Sequence, residues 1–403
     1  MSSILSYTEA VEILRKVGAT IAAGTETVAL DDALGRKLAT DIQATIDSPP
    51  FTNAAMDGFA MKREDALKGP LKIAASIYAQ AMEAHEIPAY QPGSCVRIMT
   101  GAMVPEWADT VIQVEKATLT GESVSFTDIP LLGASIRRRG EDLQAGALLL
   151  KRGTRLDAER IMVCAAFGHA RLEVEEDLEI VILSTGDELA EPGTTLTPGT
   201  LYNSSRHFLT AAARALNTPV IARDTLRDDA ELAAKALEAH APRDRRRLIL
   251  TTGAVSAGEK DFLPQVGAQL GFTAHVHKVS IRPGKPVYFA TRGKTAWLGL
   301  PGNAISTCVG WHFFARPLIH AMTGRGAPER VRVELMNAVS KPADLRCFFR
   351  AEVNGAPHNL KAWVGRKQGS AEFAPSIGLE AYVELPEGTA SLAAGTSVEA
   401  LLV

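Results

Sequence analysis

The feature that most constrains this chain is the alternation between Leu178 and Met322. Short apolar segments of strand length are separated there by amphipathic segments of helix length. Leu178–Leu183, Leu248–Leu250, Val287–Ala290 and Thr295–Leu300 read as strands; Arg206–Leu216, Ala230–Ala239, Lys260–Leu270 and Ala304–Met322 read as helices. Strands joined through helices need crossovers, these are right-handed, and the product is a doubly wound parallel sheet with helices on both faces. Sheets of this kind bind ligands beyond the carboxyl ends of their strands.

On either side the texture differs. The first 45 residues read as two short helices, the second capped by Asp31 and Asp32 and ending before Ile42. Pro49-Pro50 breaks that pattern, because proline lacks an N–H and restricts its predecessor. Short strands punctuated by Gly93, Gly101, Gly121 and Gly133 then run to about Arg139, as expected for a small inserted β-rich domain. Leu156–Phe167 reads as a helix stopped by Gly168, and strands return after Pro328. The expected architecture is multidomain α/β and β. A helical linking domain covers 1–48 and 146–177, the inserted β-rich domain 49–145, the α/β domain 178–326 and a C-terminal β domain 327–403.

Composition excludes several classes. Lys+Arg number 43 against 46 Asp+Glu, a net charge of −3, which argues against a general nucleic-acid binder and a polybasic membrane protein. No apolar run reaches membrane-spanning length and the N-terminus reads as an amphipathic helix, so a soluble cytoplasmic protein is expected. Cys95, Cys164, Cys308 and Cys347 have neither zinc nor disulfide spacing. Gly253 to Asp261 resembles a phosphate-binding P-loop only superficially, since Glu259 stands where the lysine belongs. No dinucleotide fingerprint follows a strand. His275 and His277 lack a third ligand nearby and read as one strand face. The run Arg243, Arg245, Arg246, Arg247 reads as a solvated loop.

Three strand ends gather small and polar residues: Ser184-Thr185-Gly186-Asp187-Glu188, Thr251-Thr252-Gly253 leading to Ser256 and Lys260, and Pro301-Gly302-Asn303 leading to Ser306. Hydroxyls and glycine N–H groups at helix starts cradle phosphate or another oxyanion. Any one could be turn chemistry, but three at successive strand ends point to a site. Glu188, Asp228, Asp229 and Asp261 offer oxygen ligands for Mg²⁺. Arg282-Pro283-Gly284-Lys285-Pro286 presents two cations on a stiffened turn, as an oxyanion site needs. The inserted domain adds Asn53 to Ala60, with Asp57-Gly58 reading as a hairpin turn, Arg97 to Gly101, and Arg138 to Asp142.

With these motifs, in this order over essentially the whole length, the sequence resembles the molybdopterin molybdenumtransferase family and is similar to the E domain of gephyrin. The resemblance implies molybdate insertion into adenylylated molybdopterin with Mg²⁺ and release of AMP. It also implies four domains, a C-terminal β-barrel-like domain among them, and a homodimer with shared sites. Carried over by position, Asp57, Thr100 and Asp142 match functional positions of the inserted domain, and Glu188, Asp228 and Asp261 the acidic, metal-binding ones. Thr185, Gly186, Asp187, Thr252, Gly253, Ser256 and Lys260 match the pterin-nucleotide loops. Arg282, Lys285, Pro286, Pro301, Gly302, Asn303, Ser306, Ser370 and an arginine at Arg346 or Arg350 resemble the substrate and molybdate pocket. Other cofactor-biosynthesis proteins and recipient molybdoenzymes are implied partners.

Four positions depart from the family pattern. Ala54 replaces a serine, Ala254 a glycine, Arg282 a lysine, and Glu380 a small turn residue. An alanine at position 254 costs about 1 kcal/mol if the loop there needs positive φ. The alternatives are a molybdopterin adenylyltransferase, which would leave the β insertion and C-terminal domain unexplained, and a non-catalytic gephyrin-like scaffold.

Overall fold

The computed structural model describes residues 4–82, 84–255, 262–356 and 359–403. The chain forms two compact units, Thr27–Val174 and Met1–Glu26 with Glu175–Val403.

In the larger unit, helix α1 (Tyr7–Thr20) opens on a capping box between Ser6 and Glu9. The sheet is built from β1 (Glu179–Thr185), β2 (Val220–Leu226), β3 (Arg247–Thr252), β4 (Thr273–His277), β5 (Tyr288–Arg292) and β6 (Thr295–Leu300). Its order is β2-β1-β3-β6-β5-β4. β2, β1, β3 and β6 are parallel, as the strand–helix alternation requires, while β5 returns antiparallel from β4 and into β6. Helices α2 (Ser204–Ala215), α3 (Ala230–His240) and α4 (Leu263–Gln269) connect the strands. One apolar cluster, with Ile180, Leu250 and Leu298, covers one face; another, with Val181, Ile249 and Trp297, covers the other. Alternate side chains of each strand thus serve opposite cores, and this makes the strands continuous apolar runs.

The helix expected over Ala304–Met322 is interrupted. It runs as α5 (Ala304–Gly310), a π-helical stretch Trp311–Ala315, and α6 (Arg316–Thr323), which ends at Gly324 in the left-handed conformation. Trp311, Phe313, Phe314 and Ala315 are all buried and only His312 is partly exposed, so this segment has almost no solvent face. Phe313 stacks on Phe348 at 3.8 Å and meets Tyr7 and Tyr382 edge-on.

Phe348 belongs to a closed barrel of five strands: β7 (Val331–Leu335), β8 (Arg346–Asn354), β9 (Lys361–Val364), β10 (Ala381–Leu385) and β11 (Ser397–Leu402), in the ring β8-β9-β7-β11-β10-β8. The short strand Ile281–Arg282 pairs in parallel with β8, so the Arg282–Pro286 turn is anchored to the barrel.

In the smaller unit, Gly58–Met61 is an interior strand of a six-stranded sheet, between Thr110–Gln113 and Ser94–Ile98. Phe59 and Met61 enter one core and Ala60 the other.

Three expectations need correction. The second N-terminal helix is a single 3-10 turn, Leu30–Asp32, and neither aspartate caps it. Beyond it, after one more local bond from Arg36 N to Ala33 O, the backbone bonds across to other segments: Leu38 N to Thr154 O, Ala39 N to Glu173 O, and Leu156 N to Arg36 O. Gly58 is not a turn glycine but opens the strand; a Cβ there would stand 2.0 Å from the Ile112 carbonyl oxygen. Half of the arginine run is buried. Arg246 donates to the carbonyls of Met322 and Glu176, and Arg247 to the His240 carbonyl and the Glu179 carboxylate. These bonds close off the amino end of β3. No helix among the described residues is long and apolar enough to cross a membrane.

Burial and the neighbouring Arg316 push the His312 imidazole, in the π-helical stretch, down to about 3. A free histidine titrates at about 6.5, so the unfolded chain takes up this proton first. The contribution to stability is full above pH ~6.5 and is lost as the pH falls toward the folded value. His312→Phe should therefore lose less stability between pH 7 and 5 than the wild type, read as urea midpoints; equal losses would contradict this burial.

Candidate functional site

The carboxyl ends of β1, β2 and β3 are tied by a ladder of hydroxyls. Thr252 Oγ1 donates to Ser184 Oγ at 3.0 Å, and Ser184 Oγ to Asn203 Oδ1 at 3.4 Å. Thr185 Oγ1 donates to the Thr252 carbonyl at 3.2 Å. Asn203 caps α2 by accepting from Arg206 N and donates to Thr225 Oγ1 at 3.0 Å. Sequence reasoning missed Asn203, although an asparagine directly before a helix is the signal for such a cap.

The loops above this ladder are shaped by close backbone approach. Gly253 has φ +91°, and a Cβ there would lie 2.6 Å from Thr185 Oγ1. A Cβ on Gly186 would come within 2.8 Å of the Glu188 carboxylate, which folds back over that glycine. Asp228 N approaches Asp187 Oδ1 at 3.4 Å, so the loops after β1 and β2 adjoin. Ala254 has φ +52°, the conformation in which its departure from glycine carries a cost.

Two cavities open here. The first, about 640 Å³, is bordered by Thr185, Glu188, Asn203, Thr252, Gly302 and Asn303. The second, about 410 Å³, gathers Arg282, Lys285, Pro286, Pro301, Ser306 and Ser370. Asn303 and Ser370 line both cavities and are joined by a hydrogen bond of 3.2 Å from Asn303 Nδ2 to Ser370 Oγ. The Lys285 turn is held by its own carbonyl, which accepts from Val279 N at 2.9 Å and Val287 N at 3.1 Å. Its exposed ammonium makes no ion pair among the described residues.

The two arginines on β8 part company. Arg346 is not brought to the second cavity: it is bonded to Glu384 and to both carboxylate oxygens of Glu387. Arg350 is 2% exposed and lies behind the cavity wall. Its guanidinium donates to the carbonyls of Gly369 and Glu372 and to Ser376 Oγ, pinning the loop that carries Ser370. Ser256, Lys260 and Asp261 lie outside the described residues.

Within the smaller unit, Thr100 donates to Asp57 Oδ1 from both N and Oγ1, each at 2.7 Å. These bonds, the hydroxyl's first, then the amide's, hold the Asp57 carboxyl below the usual aspartate range, with Arg97 adding to the effect. Asp142 Oδ2 accepts from Ser48 Oγ at 3.0 Å. Among the described residues no three His, Cys, Asp or Glu side chains cluster as a metal site.

Two outcomes are expected. Ala254→Gly should raise unfolding stability by about 1 kcal/mol by relieving the left-handed alanine; a loss would mean the loop gains nothing from glycine there. Thr100→Val should move the Asp57 pKa up toward the ~3.9 of a free aspartate, read by carboxyl-carbon NMR titration. An unmoved pKa would remove Thr100 as its cause.

Comparison with known proteins agrees along the whole chain. The family model described as the MoeA N-terminal region (domain I and II) matches residues 5–168. The probable molybdopterin binding domain matches 181–321 and the MoeA C-terminal region (domain IV) 332–403. A molybdopterin molybdenumtransferase of Synechococcus elongatus is 36% identical, over 98% of this chain and 99% of its own length. One from Bacillus subtilis is 32% identical, over 94% and 90%. A crystal structure of a molybdopterin biosynthesis protein from Pyrococcus horikosii is 28% identical, with a TM-score of 0.79 over 99% of both chains. Sheet, barrel, strand-end loops and relatives agree, and the chain belongs to the molybdopterin molybdenumtransferase family.

Proposed function

We propose that this enzyme of molybdenum cofactor biosynthesis takes molybdate and adenylylated molybdopterin, inserts molybdenum and releases AMP, with Mg²⁺ and as a homodimer in the cytoplasm. The observation that carries this reading is the pair of adjoining cavities sharing Asn303 and Ser370. One lies over the carboxyl ends of a parallel sheet, where nucleotides bind. The other holds two cations, Arg282 and Lys285, beside the Ser306 and Ser370 hydroxyls, a set suited to a small dianion.

In this reading the loops at Thr185-Gly186-Asp187 and Thr252-Gly253, with Ser256 and Lys260, hold the phosphate-bearing part of the pterin nucleotide. Lys285, Arg282, Pro286 and Ser306 hold molybdate, and Pro301-Gly302-Asn303 with Ser370 forms the wall between the ligands. Arg350 acts as a positioning residue through the 369–376 loop; Arg346 has no part. Glu188, Asp228 and Asp261 are the carboxylates that would hold Mg²⁺. An oxygen donor set fits that ion, which takes one or two carboxylates and completes its shell with water and substrate phosphate. Bound there it would offset charge on the departing phosphate. Asp57, Thr100 and Asp142 are proposed as functional residues of the smaller unit, Asp57 being kept ionised by Thr100.

Purified protein given adenylylated molybdopterin, molybdate and Mg²⁺ should release AMP above a protein-free control. Incorporation of AMP from ATP would instead indicate an adenylyltransferase, and no release a scaffold. Lys285→Ala removes a charge-assisted hydrogen bond, worth roughly 1.5–3 kcal/mol, and should raise the molybdate requirement about ten- to hundredfold. AMP binding should barely move in a calorimetric titration. A fall in AMP binding with an unchanged molybdate requirement would reverse the assignment of the two cavities.

A further inference from the structure

The two cavities differ in chemistry as well as position. No lysine or arginine is among the described residues lining the larger one; its wall mixes hydroxyls, amides and the Glu188 carboxylate with Leu189, Leu201, Tyr202 and Phe373. Away from the Thr185 and Thr252 loops assigned to the phosphate, such a lining suits a flat, uncharged ring with a hydrogen-bonding edge.

Two aromatic residues stand out on that wall because they remain exposed, Tyr202 at 41% and Phe373 at 55%. Neither is on a slack segment. Tyr202 lies in the short strand Leu201–Tyr202, paired in parallel with Leu189–Ala190, and its hydroxyl donates to the Thr194 carbonyl at 2.8 Å. The Phe373 backbone is pinned on both sides. Arg350 holds the Gly369 and Glu372 carbonyls and Ser376 Oγ, Gly369 N donates to the Glu372 carboxylate at 2.6 Å, and Ser376 N donates to the Phe373 carbonyl at 2.8 Å. A phenyl ring on a fixed backbone, facing solvent at the rim of a ligand cavity, forgoes burial on folding and is ready to gain it on binding.

We propose that Tyr202 and Phe373 are the binding residues for a flat nitrogen heterocycle of the substrate, the ring stacking on Phe373 and Tyr202 and its edge meeting the exposed Asn303 amide and Ser204 hydroxyl. Adenine and pterin share this chemistry, and the adenylylated substrate of the function proposed above, on which this inference rests, carries both.

AMP and 6-hydroxymethylpterin, titrated separately into the full-length protein by calorimetry, distinguish the two sources. Loss of one aromatic stacking partner is expected to weaken the ring that uses it on the order of ten- to hundredfold. Phe373→Ala should weaken one probe by that factor and leave the other alone, and the probe affected identifies the ring. Phe373→Trp should restore its affinity, which an altered loop would not allow. Tyr202→Leu should weaken the same probe. If Phe373→Ala changes neither affinity, or the wild type binds neither probe, the assignment is overturned. Molybdenum insertion by the wild type is measured in parallel. An active enzyme whose ring binding ignores Phe373 keeps the proposed reaction and loses this inference. An inactive protein whose ring binding depends on Phe373 keeps the inference and loses the reaction.

Discussion

The contact on which the candidate site depends is the aromatic junction between sheet and barrel. Phe313 from the π-helical stretch stacks on Phe348 of β8, and Tyr7 from α1 meets Phe313, Phe314 and Phe348 edge-on. Each such pair adds about 0.5–1.5 kcal/mol beyond the area it buries. The geometry matters more than the energy. Phe348 and Arg350 stand two residues apart on the same face of one strand, so fixing Phe348 against the helix that begins at Ala304 also fixes the residue that pins the Ser370 loop. The same helix starts beside Asn303, whose side chain reaches Ser370. One packed junction therefore aligns a loop of the barrel with a loop of the sheet, and the two cavities meet where those loops touch.

That arrangement divides the chemistry. Cations collect on the barrel side, with Arg282 and Lys285 on a turn anchored to β8, while hydroxyls and amides collect over the carboxyl ends of β1 and β3. A dianion and a larger, partly aromatic ligand could be held next to each other without competing for the same groups. The strain at Ala254 and the close approach of Gly253 to Thr185 lie on the sheet side, where loops after β1 and β3 are packed backbone against side chain.

Much of this was legible in the sequence, for physical reasons. The central strands must be buried on both faces, so they appear as short unbroken apolar runs, and their ends were marked by Ser184-Thr185-Gly186, Thr252-Gly253 and Pro301-Gly302. The Pro-Gly-Lys-Pro turn marked its own cation. What remained hidden depends on tertiary register. Arg346 and Arg350 share a strand and the same side-chain chemistry; only packing against Glu384 and Glu387 on one hand and the Ser370 loop on the other separates them. Arg246 and Arg247 look like solvated charge until the Met322 and Glu176 carbonyls and the Glu179 carboxylate are seen to receive them. Gly58 looked like a turn because its constraint, the Ile112 carbonyl, comes from a distant strand. Phe373 gives no signal, since a phenylalanine in a loop reads as core.

The central claim is that an oxyanion binds between the Lys285 turn and the Ser370 loop, beside the cavity over the sheet. Anomalous diffraction from crystals soaked in tungstate, a heavier tetrahedral dianion of the same shape as molybdate, locates that ion directly. The account predicts a tungsten peak in hydrogen-bonding range of Lys285 Nζ and the Ser306 and Ser370 hydroxyls. A peak in the cavity over Thr185 and Thr252, with none at Lys285, would contradict it.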